Sequence, residues 1–101
     1  NRSTYSAANN FASIMKFIPN VTIIGSKTGG GSGMPYSSEL PNGWGIRFSA
    51  CSILDASGET TEFGVYPTEG FEIDMNLEDA ANGHDSILDL AISHINSIVK
   101  K

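Results

Sequence analysis

Apolar side chains recur at helical spacing near both ends of the chain. Residues 6–18 carry one apolar stripe, which predicts a short helix that ends before Pro19. Residues 85–101 carry a second stripe, which predicts a final helix whose Ser86 and Asp89 resemble a capping box. The stripe positions are Phe11, Ile14, Met15 and Ile18 in the first helix and Leu88, Ala91, Ile92, Ile95 and Val99 in the last.

Three stretches between the helices have the patterns of strands. Residues 21–25 are a β-branched run that predicts a buried strand. Residues 44–54 alternate apolar and polar side chains, which predicts a half-buried strand. After a turn at residues 55–59, residues 60–67 predict a shorter extended piece. The order helix, strand, loop, strands and helix predicts an α/β fold that is half of a larger layered structure.

A segment rich in Gly, Ser and Pro, residues 26–44, follows the first predicted strand and is expected to be irregular. Loops of this length in small domains are often functional. It lacks the spacing of a phosphate-binding loop, because Gly25 precedes Ser26 rather than Lys27 and glycines follow instead of a helix. Two interpretations stay open. The segment is either a flexible surface loop or a loop whose backbone passes close to an extended peptide or ligand.

Composition excludes several classes of function. At 101 residues the chain is at most one small domain, and its six basic residues are scattered on a net charge of −5, which argues against nucleic acid. Cys51 stands alone, and the spacing of His84 and His94 does not suggest ligands, so we expect no metal and no cofactor. No membrane span is visible in the sequence.

Four hydroxyl side chains, at residues 3–6, precede the first predicted helix. Serine and threonine are ordinary helix N-caps, so a structural role is one interpretation. A serine in this place also has backbone N–H groups and a positive helix dipole beside it, which would stabilise an oxyanion. Ala7 and Ala8 leave room for a substrate. Local pattern leaves both interpretations open.

Four segments in register resemble the C-terminal processing, or tail-specific, serine proteases (serine peptidase family forty-one), and within them the tricorn-like branch. The segments are NRSTYSAANNFASIMKFIPNVTIIGSKTGGGSGMP, SELPNGW, EFGVYP and GHDSILDLA. The resemblance implies an α/β core of the ClpP/crotonase-like kind, built of ββα units. Residues 1–101 would be the C-terminal part of that serine peptidase catalytic domain, a fragment of a longer chain.

The resemblance also implies site residues. It places the nucleophile at Ser6 and one oxyanion-hole N–H at Ala7. The base of the Ser-Lys members falls on Gly31, a departure that the tricorn-like Ser-His-Ser-Glu arrangement accommodates, since its His and first Ser would lie outside this chain. Its Glu fits Glu62 with an offset of one residue, although local pattern alone makes Glu62 a surface residue. The glycines expected to line the substrate groove are Gly29, Gly30, Gly31 and Gly33.

The resemblance therefore predicts a serine endopeptidase of the bacterial periplasm or exterior. Its expected partners are a peptide or protein substrate, the N-terminal part of the catalytic core, and further copies in a homo-oligomer. Two alternatives stay open. A catalytically inactive peptidase-like domain that binds peptides is favoured by the missing Lys at Gly31. In a structural half-domain within an oligomer, the hydroxyl cluster would only cap a helix.

Overall fold

The structure, a computed structural model, describes residues 1–99 and mixes helices with a small antiparallel sheet. The elements are α1 (Ala7–Met15), β1 (Met34–Glu39), β2 (Gly45–Cys51), α2 (Leu77–Ala81) and α3 (Ser86–Val99). This mixture agrees with the predicted α/β class. Within residues 1–99, no helix has both the length and the apolarity needed to cross a bilayer.

The first predicted helix is confirmed as α1, although it ends at Met15 rather than at residue 18. The N–H of Phe17 donates to the Ile14 carbonyl, and that of Ile18 donates to the Met15 carbonyl, at 3.2 and 3.1 Å. These are bonds to the third residue back, which tighten a helix end into turns. The apolar stripe therefore continues beyond the helix itself.

The last predicted helix is confirmed as α3 over Ser86–Val99, with residues 100 and 101 outside the described residues, but a different residue caps it. The Asp85 carboxylate accepts hydrogen bonds from the N–H groups of Ile87 and Leu88, both at 3.0 Å. An aspartate oxygen that satisfies the first free N–H groups is an ordinary N-cap. The predicted capping box of Ser86 and Asp89 is wrong because Asp85 already occupies that role.

The only ladder described within residues 1–99 is the β1–β2 hairpin, in which Tyr36 lies opposite Phe48. Their ring centroids are 5.8 Å apart. β1 lies inside the segment expected to be irregular, so that prediction is wrong for residues 34–39. β2 confirms the strand predicted at residues 44–54, but not its half-burial, because every residue of β2 is exposed.

The other two predicted strands are extended segments that pair at single residues. In residues 21–25, Gly25 makes one parallel bridge, to Glu72, and no continuous ladder follows. In residues 60–67, a single bridge at Thr60 precedes a turn. Both strand predictions are therefore wrong as regular elements, because each segment meets a partner over too short a length.

The interior is mostly polar. Apart from Pro67, Val65 is the only apolar side chain buried within residues 1–99. The buried polar side chains are Asn9, Ser13, Thr28, Ser32 and Thr61. The apolar stripes of the helices are open to solvent, with Phe11 65% and Ile95 58% exposed.

The dimensions agree with this open arrangement. The chain exposes 7456 Å², whereas a folded monomer of its mass exposes about 5,500 Å². Its radius of gyration is 17.5 Å, against about 13 Å for a compact chain of 100 residues. The elements do not enclose a core of their own, so their apolar faces are surfaces that a further layer could cover.

Candidate active site

Ser6 forms a strained joint between an extended residue and α1. Its neighbour Tyr5 pairs with Gly30 in a parallel bridge, and α1 begins directly after Ser6. The φ and ψ angles of Ser6 are 56° and −120°, in a region that residues other than glycine rarely adopt. Strained turns of this kind, from an extended segment into a helix, hold the exposed nucleophile in serine hydrolases.

The Ser6 side chain does not cap the helix. Ser6 is exposed, and its hydroxyl makes no capping hydrogen bond to α1. The backbone of Ser6 is fixed instead, because its N–H donates a hydrogen bond to the Gly30 carbonyl at 2.9 Å. The structural interpretation of Ser6 as an N-cap is therefore wrong, and its hydroxyl is available for chemistry.

The N–H of Ala7 is also available. Ala8 donates to the Tyr5 carbonyl at 3.2 Å, and Asn10 donates to the Ser6 carbonyl at 3.0 Å. Within residues 1–99, the Ala7 N–H donates no hydrogen bond. It lies at the positive end of the α1 dipole, beside the Ser6 side chain. A free N–H beside the candidate nucleophile is compatible with the expected oxyanion-hole role of Ala7, which stays a prediction.

The glycine segment lies between the Ser6 joint and the segment that carries Glu62. The Gly30 carbonyl accepts from the Ser6 N–H, and the next N–H, of Gly31, donates to the Glu62 carbonyl at 2.9 Å. On the other side, the N–H of Gly29 donates to the Thr4 carbonyl at 2.9 Å. Hydrogen bonds on both sides fix residues 29–31, so the interpretation of these residues as a flexible surface loop is wrong.

Close contacts explain why these positions are glycines. A Cβ on Gly30 would lie 2.1 Å from the Glu62 carbonyl oxygen. A Cβ on Gly29 would lie 2.2 Å from the carbonyl oxygen of Arg2. A Cβ on Gly33 would lie 2.6 Å from the Cβ of Ser49. The atoms that require glycine belong to the chain itself, and the role of these glycines in binding a peptide stays a prediction.

Gly31 has a different neighbour, which bears on the missing Lys. Its φ is 69°, and a Cβ there would lie 2.0 Å from Cζ of Tyr5. The Tyr5 ring thus occupies the space from which a longer side chain at residue 31 would start. The Tyr5 side chain is 58% exposed, so this contact accompanies the departure from the Ser-Lys pattern but does not by itself exclude a longer side chain.

Glu62 is half-buried and lies in a turn. Its Oε2 accepts a hydrogen bond of 2.8 Å from the N–H of Gly33. The interpretation of Glu62 as an ordinary surface residue is therefore wrong, because the glycine segment holds its carboxylate. The Glu62 side chain makes no hydrogen bond to Ser6 within the described residues. Adjacent glycines, Gly30 and Gly31, join the two residues through the backbone.

A buried polar cluster that the sequence pattern did not predict lies beneath this site, and we call it the Asn9 cluster: Asn9, Thr28, Ser32 and Thr61. Asn9 is fully buried, and its side chain makes hydrogen bonds to all three other members. An asparagine within a helix is ordinarily predicted to be exposed. The sequence signal for the burial of Asn9 is its spacing: it lies one helical turn after Ser6 and therefore on the same side of α1.

Neither histidine lies at this site. His94 is half-buried on α3, where its Nε2 is 3.2 Å from Thr22 Oγ1. Its ring also packs edge-on against Phe71, with centroids 4.5 Å apart. His84 is exposed before α3. Across the part of the chain that the structure describes, no group of side chains is suited to hold a metal ion.

Comparisons with known proteins identify a family of peptidases. The family model described as Peptidase family S41 matches residues 1–71. A solved structure from Parabacteroides merdae, described as a candidate peptidase, superposes with a TM-score of 0.83 at 49% sequence identity. That match covers 92% of this chain and 29% of the other, so the chain spans less than a third of that protein. No curated protein matches the chain significantly.

Proposed function

Because the chain belongs to peptidase family S41, we propose that it carries the nucleophile of a serine endopeptidase, at Ser6. The observation that carries this proposal is the strained backbone of Ser6 at the start of α1, with an exposed hydroxyl that caps nothing. A strained residue persists only where the surrounding structure enforces it, and such residues cluster at active sites. Family membership makes the peptide bond the natural substrate.

The residues at hand have distinct roles in the proposed reaction. The Ser6 Oγ attacks the scissile carbonyl carbon, while the Ala7 N–H donates a hydrogen bond to the developing oxyanion. The C–N bond then breaks, the amine leaves with the proton taken from Ser6, and water hydrolyses the acyl-enzyme. The glycines of residues 29–33 line the groove that holds the extended peptide.

The proton acceptor in this proposal is a His from the part of the catalytic core that this chain does not contain, in the tricorn-like Ser-His-Ser-Glu arrangement. Glu62 orients that base by a hydrogen bond. Its carboxylate is already held by the Gly33 N–H at 2.8 Å, which leaves the other oxygen for the base. The exposed apolar faces of α1 and α3 support a larger ClpP/crotonase-like core around this segment.

A second candidate function is a peptidase-like domain that binds peptides without cleaving them. The observation that favours it is Gly31 itself, which carries no side chain where the Ser-Lys proteases have their base and which has the Tyr5 ring against it. The two candidates differ in one respect: only the peptidase needs the Ser6 hydroxyl. Peptide binding alone would depend on the groove and not on that oxygen.

Peptide hydrolysis by the intact protein tests the proposal. With quenched fluorescent peptides as substrates, we expect Ser6→Ala to lower kcat by at least roughly a thousandfold, because the nucleophile is lost. The melting temperature should not fall by several degrees, since the hydroxyl makes no capping bond. Ser3→Ala is the matched control and should retain activity. Unchanged hydrolysis by Ser6→Ala would exclude Ser6 as the nucleophile.

A further inference from the structure

We propose that Asn9 is the positioning residue of this site, which holds the Ser6 joint in register with the segment that carries Glu62. This inference rests on the proposed function, because it assigns a role toward Ser6 and Glu62 as catalytic groups. It adds a residue that does not itself reach the substrate groove, since Asn9 is fully buried.

The Asn9 side chain bonds two separate segments of the chain. Its Oδ1 accepts a hydrogen bond from the Thr28 hydroxyl, and its Nδ2 donates to the Ser32 hydroxyl. The same Nδ2 donates to the carbonyl of Thr61 at 3.0 Å. Both N–H groups and the carbonyl of the amide are therefore used. A buried polar network in which every member is satisfied is rigid and specifies one arrangement.

The partners of Asn9 are adjacent to the residues that matter for catalysis. Ser32 directly precedes Gly33, whose N–H holds the Glu62 carboxylate, and Thr61 directly precedes Glu62. Asn9 thus bonds both sides of the Gly33–Glu62 hydrogen bond. Asn9 itself is one helical turn after Ser6 on α1, so any displacement of its amide is transmitted to the Ser6 joint.

Thr28 extends the same cluster to a third point. Its hydroxyl accepts a hydrogen bond of 2.6 Å from the N–H of Val65, and its own N–H donates to the Val65 carbonyl at 3.0 Å. The Asn9 amide therefore connects α1, the segment of residues 28–32 and the segment of residues 61–65. These are the three pieces of chain that carry Ser6, the glycines and Glu62.

The strain at Ser6 gives this connection a function. A non-glycine residue with φ near 56° stays in that conformation only if neighbouring contacts enforce it. Ser6 itself is exposed, and its backbone N–H bond to Gly30 constrains only one side of the joint. The Asn9 amide constrains the other side, one turn along the helix. A misplaced nucleophile costs on the order of a hundredfold in rate, even when the change lies away from the chemistry.

Steady-state kinetics of the intact protein tests the inference, with Asn9→Ala, Thr28→Val and Thr28→Ser compared at a temperature where all are folded by circular dichroism. We expect Asn9→Ala to lower kcat on the order of a hundredfold, with KM changed by less than about threefold, because positioning acts on the transition state and not on peptide binding. Thr28→Val should lower kcat in the same direction, since valine has the shape of threonine without the hydroxyl.

Two controls separate positioning from general damage. Thr28→Ser retains the hydroxyl and should restore kcat to near the wild-type value. Asn10→Ala changes the next residue of α1, whose Oδ1 is buried without a hydrogen-bond partner within the described residues, and should leave kcat unchanged. If Asn9→Ala does not fold, the pair at Thr28 decides the question alone.

The outcomes distinguish this inference from the proposed function. A wild-type protein no more active than Ser6→Ala would overturn the proposed function. A Ser6-dependent wild type with unchanged kcat in folded Asn9→Ala, or with Thr28→Ser as slow as Thr28→Val, would overturn the role of Asn9 only. A rise in KM of Asn9→Ala with unchanged kcat would also overturn the role of Asn9, because that result indicates a role in peptide binding.

Discussion

Single residues set the geometry of this site through their backbones. Ser6 has a φ of 56° although it is not glycine, and its hydroxyl satisfies no backbone group of α1. The family resemblance pointed to Ser6, but its positive φ could not be predicted, because it accompanies a hydrogen bond that the Ser6 N–H donates to the Gly30 carbonyl, 24 residues along the chain. The positive φ of Ser6 is the local feature on which its proposed catalytic role rests.

That cost can be measured by comparing Ser6→Gly with Ser6→Ala in the intact protein. Glycine adopts positive φ readily, whereas alanine keeps the strain. We expect Ser6→Gly to be more stable than Ser6→Ala by about 1 kcal/mol in free energy of unfolding from denaturant titration. Equal stabilities would mean that Ser6 is not strained in the folded protein.

The burial of Asn9 could not be predicted from its residue type and position. Its type and its helical position are typical of an exposed polar residue, yet it is fully buried. The reason lies in its partners, Thr28, Ser32 and Thr61, which come from distant parts of the chain. Only the folded arrangement brings these hydroxyl and carbonyl groups to one amide.

At the scale of elements, periodicity predicted the two longer helices, α1 and α3, but not the short α2, and it predicted the strands poorly. α1 and α3 follow from the spacing of apolar residues, because one face of each helix is set by residues close in sequence. Residues 21–25 read as a strand, but strand formation requires a partner along its length, and Gly25 meets Glu72 at only one bridge. β1 was missed because Pro35 and two serines make its pattern resemble a loop.

The glycine segment is an element whose stability can be tested with a matched pair. Gly30 and Gly43 both have positive φ, at 80° and 84°, but a Cβ at Gly43 would meet open space. A Cβ at Gly30 would meet the Glu62 carbonyl oxygen at 2.1 Å. We expect Gly30→Ala to be less stable than Gly43→Ala by roughly 1–3 kcal/mol, the usual range for overpacking.

The measurement is again the free energy of unfolding of the intact protein. Both variants pay the cost of positive φ in alanine, so the difference between them isolates the steric contact with Glu62. If the two variants are equally stable, residues 29–31 are not packed between the Ser6 joint and Glu62. The interpretation of this segment as a flexible loop would then return.

At the scale of the whole molecule, the chain is a surface-rich segment. It exposes 7456 Å² and has a radius of gyration of 17.5 Å, both larger than expected for a compact chain of this size. Among residues 1–99, large apolar side chains such as Phe11, Ile14 and Ile95 are more than half exposed. Composition alone could not predict this, because the apolar content is ordinary and only its placement is unusual.

Residues 1–101 produced alone should therefore not behave as an independent domain. We expect them to bind the dye ANS and to unfold without a cooperative calorimetric transition, because their apolar faces stay in water. The intact protein serves as the control and should unfold cooperatively. A sharp transition from a monomeric fragment that binds no dye would show that these residues enclose a core of their own.

The most direct measurement of the central claim is the site at which a fluorophosphonate probe reacts with the intact protein. Trypsin releases residues 3–16 as one peptide, and mass spectrometry of its fragments distinguishes Ser6 from Ser3 and Ser13. We expect a single phosphonyl adduct on Ser6, which is absent after heat denaturation because activation depends on the fold. A folded protein with no adduct, or with the adduct on Ser3, would contradict the assignment of Ser6 as the nucleophile.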